Sequence, residues 1–559
     1  MFKLKKNYVC MKTSFVASSV FLFLMAKAAF SADTIKVGEL TDPTIWSSGA
    51  LPTSTERAWL QVNGPYTLNR DLTLTSVGTN WSNRGVTVSM VDSDGYKIEN
   101  PDEYHTLTID GNTTTKTLIE LRSNSGDQAV SDTLSFENGN YVFKIDDGEI
   151  IFSTSTNTIH TETKEVSAIT KIVEFQANTN VRVENRIFLS GTNSSLVNQS
   201  YYIFDGIFNA QDSAGNYNQI SAGYTNVEVG GLTSASAITL WGDSVFTIKS
   251  GGQVDALTHF NLMEASAVIN GTLNTPKVIT SDNTQGFTVG ATGILNISSS
   301  FDIHSDINVN AGGVVNSKAV SVNAGTLYLD GTLNQSTDET ITQNILIDAG
   351  ATLKVGETGK LSLSGGYKNI NVFGTLDISG AENSINFGSN GYAAIRIQDG
   401  GTLILRSTNA ICLGDSSGQS NFNIWSYSGQ TRVEILANND IYALAFETGA
   451  NMTLVLGEDV DLLTMQKISN KIDAACAEGL ADDSVSLTIE GFRENTIKIA
   501  SVIDADKNAD GYLDIIADGW KDFYIDENGF LAATAVPEPA LIGAILGVAA
   551  ACFASRRRR

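Results

Sequence analysis

From residue 33 to about 225 the chain is a succession of short runs in which apolar and polar residues alternate. Tyr66-Thr67-Leu68, Leu72-Thr73-Leu74, Val86-Thr87-Val88, Leu107-Thr108-Ile109 and Tyr141-Val142-Phe143-Lys144-Ile145 are examples, each bounded by Gly, Asn, Asp or Ser. A period of two is what a half-buried strand requires, because successive side chains point to opposite faces. Asp110-Gly111, Asn138-Gly139 and Asp147-Gly148 mark tight turns between runs. No helical period persists beyond two turns.

The middle of the chain repeats. Gly271-Thr272-Leu273-Asn274, Gly293-Ile294-Leu295-Asn296, Gly313-Val314-Val315-Asn316, Gly331-Thr332-Leu333-Asn334 and Gly374-Thr375-Leu376-Asp377 share one pattern. Ala349-Gly350-Ala351-Thr352-Leu353 reads as the unit between the last two. Gly251-Gly252-Gln253-Val254-Asp255, Gly400-Gly401-Thr402-Leu403 and Gly449-Ala450-Asn451-Met452 read as outlying copies. A period of about 20 residues built from strands and Gly/Asn turns predicts a solenoid. In that reading Gly takes a corner conformation a Cβ forbids, the next Leu points inward onto its counterparts, and the Asn stacks in a hydrogen-bonded ladder. Immunoglobulin-like sandwiches need about 100 residues and propeller blades roughly 40 to 45, and neither fits the unit.

The fold class expected is therefore all-β, a parallel β-helix. Residues 33–225 form its N-terminal part, 226–457 the repeats, and 458–535 a small mixed C-terminal cap. Within the cap, Leu462, Met465, Ile468, Ile472 and Ala475 recur at spacings of three and four, which predicts one helix over Asp461–Glu478 stopped by Gly479. Strands are expected again at Val485–Ile489 and Ile497–Ile499. A closing hairpin over Phe523–Leu531, turning at Glu527-Asn528-Gly529, would cover the solenoid's open edge. The repeats resemble the β-helical passengers of autotransporters and the pectin-lyase-like superfamily.

Both ends carry different patterns. Lys3, Lys5, Lys6 and Lys12 precede an apolar run from Phe15 to Ala26, and Ala26-Lys27-Ala28 is a small-x-small cleavage site, so residues 1–32 read as a signal peptide. At the other end Val536-Pro537-Glu538-Pro539 is held extended by its prolines. The uncharged stretch 540–554 follows, then Arg556, Arg557, Arg558 and Arg559, a cytoplasmic stop. Fifteen helical residues span about 22 Å, short of a hydrocarbon core of roughly 30 Å, so transient membrane insertion is expected.

This three-part tail, residues 536–559, resembles the PEP-CTERM sorting signal of bacterial exported proteins. The resemblance implies an exosortase-like transpeptidase as partner and processing near Pro537-Glu538-Pro539.

Composition narrows the partners. The 559 residues hold 36 Lys+Arg and 61 Asp+Glu, a net charge of −25. Setting aside the five bases of the signal peptide, and the four arginines and Glu538 of the tail, leaves 27 bases against 60 acids. Such an excess repels nucleic acid and anionic lipid. Only Cys412 and Cys476 lie in the body; they do not make a disulfide scaffold, and one bridge or two separate thiols both fit.

Candidate chemistry is sparse. Asp506, Asn508, Asp510 and Asp514 occupy positions one, three, five and nine of an EF-hand-type loop with Gly511 at six, which points to Ca²⁺ as the one cofactor. Position twelve is Ala517 instead of a bidentate Glu. Gly414-Asp415-Ser416-Ser417-Gly418 matches the hydrolase nucleophile pattern, but no strand–helix unit surrounds it. His105, His160, His259 and His304 have no metal-ligand spacing.

No catalytic constellation emerges. The function expected is that of an exported, non-enzymatic cell-envelope or extracellular-matrix protein, used in adhesion or surface structure and in contact with exopolysaccharide or another surface glycan. The alternative is a carbohydrate-active β-helix enzyme, a polysaccharide lyase or hydrolase.

Overall fold

The computed structural model describes residues 31–79, 85–112, 115–121, 131–154, 169–191, 198–336, 345–364, 367–387, 392–412, 422–447, 449–469, 485–500 and 515–536. Over these the chain winds into coils whose strands pair in parallel with the coils before and after. Of the stretch 1–32, read as a signal peptide, only Ser31 and Ala32 are described, in the strand Ser31–Asp33; the stretch beyond Val536 read as a sorting tail and the 506–514 stretch read as a calcium loop lie outside the described residues.

The strands align in three ladders. The first runs from Leu72–Leu74 through Gly139–Lys144 and Thr179–Val183 to Lys360–Ser364 and Ile411–Cys412. The second starts at Ser31–Asp33 and passes through Thr117–Leu121 and Arg186–Ser190 to Tyr367–Val372, Tyr392–Ile397 and Phe422–Ser426. The third runs from Gly64–Leu68 through Ile169–Phe175, Val245–Ile248 and Thr375–Ile378 to Ser486–Glu490 and Ile515–Ile516. In mid-chain, five long strands (Leu232–Trp241, Gln253–Met263, Thr272–Thr280, Ile294–Ile303 and Val314–Val322) carry the first ladder in their first half and the second in their last half. The register shifts between the halves, at Asp255/Phe260 and Thr275/Lys277 for instance, so each strand has an elbow.

The all-β, parallel expectation holds, and so does the inward column. Val254, Leu273, Leu295, Val315, Leu333 and Leu361 are direct register partners from coil to coil, and none is more than 1% exposed. Each such side chain contributes roughly 1.5–3 kcal/mol by leaving water, so every coil depends on its neighbours for its core. Towards the N-terminal end the coils widen and aromatic rings fill them. Phe175 stacks on Phe136 with centroids 4.8 Å apart and meets Phe208 edge-on at 5.8 Å.

Two features differ from the sequence reading. The copies at Thr352–Val355, Thr375–Ile378, Thr402–Leu405 and Asn451–Leu456 belong to the third ladder, whereas those from Gly271 to Gly331 start first-ladder strands. The Gly-x-Leu motif marks a coil corner followed by an inward residue, and a coil has more than one such corner. The reason for glycine also differs. A Cβ on Gly271 would stand 2.2 Å from the carbonyl oxygen of Gly252 in the preceding coil, so crowding selects glycine there. The left-handed conformation falls one residue before the motif glycine, at Gly312 (φ +92°) ahead of Gly313.

The helix expected over Asp461–Glu478 is replaced, where the chain is described, by a strand at Leu463–Ser469 paired parallel with Asn439–Phe446 and Ile497–Ile499. Leu463 and Met465 point inward by the strand period, 0% and 1% exposed. Ile468 is inward again after an elbow, and that extra residue turned a period of two into the spacing of three that reads as helical. Beyond it the chain forms the expected strands Ser486–Glu490 and Ile497–Ile499. The closing hairpin forms too: Trp520–Ile525 pairs antiparallel with Leu531–Ala535 around Asp526–Gly529. Phe523 of this hairpin packs edge-on to Phe492 at 5.1 Å. Among the described residues no helix is long and apolar enough to cross a membrane; the stretch 540–554, expected to insert, lies outside them.

Candidate functional site

The elbows of the mid-chain strands make the outer surface concave, and a groove of about 480 Å³ runs there between the first and second ladders, lined among others by Asn274, Asn296, Asn316, Leu257, Pro276 and Lys318. Its floor is a side-chain ladder. Asn334 Nδ2 donates to Asn316 Oδ1 (2.9 Å), Asn316 to Asn296 (2.7 Å), Asn296 to Asn274 (2.8 Å), and Asn274 to the carboxylate of Asp255 (2.7 Å). All four bonds point the same way. Asp255, which only accepts, ends the series, and also receives Gln253 Nε2 at 3.0 Å. Each asparagine spends one N–H and one oxygen lone pair along the column, leaving a second of each for a ligand.

Apolar edges flank this floor. Leu257, in the elbow past Asp255, is 49% exposed, and Ile294, two residues before Asn296 on the other side of the column, is 39% exposed. The groove is thus amphiphilic and runs along the coil axis, with its polar groups repeating every ~4.8 Å as parallel strands dictate. Its charge is balanced: Asp255 and Lys318 are the acid and the base in its lining. A shorter version recurs towards the N-terminal end. There Asn178 donates to Asn138 (2.9 Å) and Asn180 to Asn140 (3.2 Å) beside a recess of about 520 Å³ that includes Tyr104 and Ile207.

Of the residues singled out from sequence, Val536 is described: its N–H donates to Gly519 O at 2.8 Å, which ties the start of the tail to the closing hairpin. Pro537, Glu538, Pro539, Arg556 to Arg559, Ala26, Ala28, Asp506, Asn508, Asp510, Asp514, Cys476 and the Gly414–Gly418 turn lie outside the described residues. Ala517, the twelfth position of the proposed calcium loop, is 6% exposed and its carbonyl accepts from Trp520 N–H. His304 contacts Asn323 Nδ2 at 3.1 Å and His259 contacts Thr258 Oγ1 at 3.2 Å. Among the described residues no three His, Cys, Asp or Glu converge as a metal site does.

Sequence reading missed the buried charges, Lys171 and Asp132 among them. Lys171, 1% exposed on the third ladder, faces Asp132 in register and donates to Leu121 O at 2.9 Å. Burial lowers its pKa to about 8, against the opposing pull of Asp132 and Glu120. The strand pattern carries a signal for it: Lys171 stands on the parity of the inward Val173 and Phe175.

The arrangement offers hydrogen bonds in series along the groove. No known protein family matches this chain, and comparison with characterised proteins finds no relative.

Proposed function

We propose that this is an exported, non-catalytic protein of the cell envelope or extracellular matrix, whose coil stack holds an extended surface polysaccharide along the amide-floored groove. The observation that carries this reading is the column from Asp255 to Asn334. Sugar hydroxyls both donate and accept, as each column amide does, and the apolar edges suit the C–H faces of a sugar ring. The balance of one acid and one base in the groove's lining favours an uncharged stretch of glycan. The tail would be processed by an exosortase-like transpeptidase after transient insertion through 540–554, and the loop at Asp506–Asp514 would take Ca²⁺ weakly.

The test is retention of the purified exported chain on a panel of neutral polysaccharides, with product release monitored. Retention that falls in Asn296→Ala supports the reading; absence of retention across the panel, or release of reducing-end or unsaturated products, defeats it. For the tail, the mass of the mature C-terminus decides, since a chain that keeps Arg559 has not been processed.

A further inference from the structure

On the outward face of the second ladder, away from the groove, Asn371, Arg396 and Trp425 occupy one position in three successive coils, as direct register partners. Each carries a buried nitrogen with no hydrogen-bond partner: Asn371 Nδ2, Arg396 Nε and Trp425 Nε1. Asn371 is 4% and Trp425 8% exposed. A buried donor left unpaired costs about 1–3 kcal/mol, and three side by side in one column is far from the usual satisfaction of buried polar groups.

All three atoms are donors, and the column holds a fixed positive charge. The Arg396 guanidinium lies 4.9 Å from the Trp425 ring centroid and 5.8 Å from that of Tyr427, and no carboxylate pairs with it among the described residues. In a chain with a large excess of acids, an arginine set against two neighbouring rings of the next coil, with no acidic partner among the described residues, is a place where a negative charge is missing. The next outward column supplies a rim: Phe373 is 38% and Tyr427 41% exposed. Backbone hydrogen bonds put Gln398 in the coil between them. The two rings stand two coils apart, roughly 10 Å, one on either side of Gln398.

We propose that Asn371, Arg396 and Trp425 form a binding site for an oxyanion, a carboxylate or sulfate group carried on a sugar-like body that rests on Tyr427 and Phe373. Trp425 and Asn371 supply neutral donors, Arg396 supplies charge and donors, and the rings supply stacking. The site does not depend on the groove, which belongs to other coils.

The test is isothermal titration of the full-length chain with glucuronate, inorganic sulfate and glucose at constant ionic strength. Saturable binding of glucuronate is expected, with weaker binding of sulfate, which lacks the ring, and any glucose binding unchanged in Arg396→Gln. Arg396→Gln should weaken glucuronate binding at least about tenfold, the loss expected for one charge-assisted hydrogen bond. Lys318→Gln, in the groove, should leave it unchanged, and far-ultraviolet spectra of both variants should match the parent. Failure of both oxyanions to bind, glucuronate binding no tighter than glucose, or an unaffected Arg396→Gln variant would each overturn the site. Sulfate binding without glucuronate would remove the sugar-like body from it.

Discussion

Asn316 donates its side-chain amide to Asn296 at 2.7 Å across one coil step, and this bond is a single link in a run that begins at Asn334 and ends on the carboxylate of Asp255. Because an amide both gives and takes, the run extends for as long as asparagine recurs; because a carboxylate only takes, it stops there.

Asn296→Ala removes two of these bonds and is expected to cost about 1–2 kcal/mol, felt locally. Hydrogen exchange of the backbone amides is the measure: protection should fall in the coils around residues 272–334 and stay intact near residues 169–204. Asp255→Asn keeps one oxygen for Asn274 and should change protection little.

Gly271 and Gly350 separate crowding from conformation. Gly271→Ala drives a methyl group to 2.2 Å from a backbone carbonyl, so the coils must part and thermal unfolding should shift down strongly, by about 3 kcal/mol or more. Gly350 has φ +81° and open space around its Cβ direction, so Gly350→Ala should cost only the left-handed penalty of about 1–2 kcal/mol. Equal effects from the two substitutions would contradict the packing described for Gly271.

Lys171 makes stability depend on pH in a defined direction. Its folded-state pKa of about 8 lies below the ordinary 10.5, so between these values the unfolded chain binds the proton more tightly than the folded one. Stability from this group therefore rises as pH climbs from about 8 towards 10.5, by up to about 3 kcal/mol. Urea unfolding across that range should show the rise in the parent and its absence in Lys171→Met.

Phe175 meets six other aromatic rings, among them Phe136 at 4.8 Å and Phe204 at 5.9 Å. Phe175→Ala should open a cavity costing about 3–5 kcal/mol, while Phe175→Leu, which refills most of the volume, should cost much less. Thermal melts followed by near-ultraviolet circular dichroism would distinguish the two.

Much of this molecule was legible as text. Leu273, Leu295, Val315 and Leu333 lie one coil apart because a closed turn of three strands needs about 20 residues, and the asparagine after each was foreseeable as a ladder for the same reason. What stayed hidden has a geometric cause. Gly-x-Leu marks corners on two ladders alike, so the copies at Gly331 and Gly374 read as two units apart in one column although they lie on different faces. Met465 and Ile468 imitate a helix because an elbow adds one residue between them. Asn371, Arg396 and Trp425 converge only after insertions of unequal length have been wound around the axis, and no local pattern announces that. The sorting tail and the calcium loop were read from motifs alone.

The parallel pairing of every coil has a mechanical consequence. Its backbone hydrogen bonds lie along the long axis, so a pull on the C-terminal end would load them in sequence, coil by coil. The chain should then lengthen in steps, each freeing about 20 residues and so at most about 70 Å of contour. A molecule built this way absorbs a tug by unspooling from one end while its far coils keep their shape.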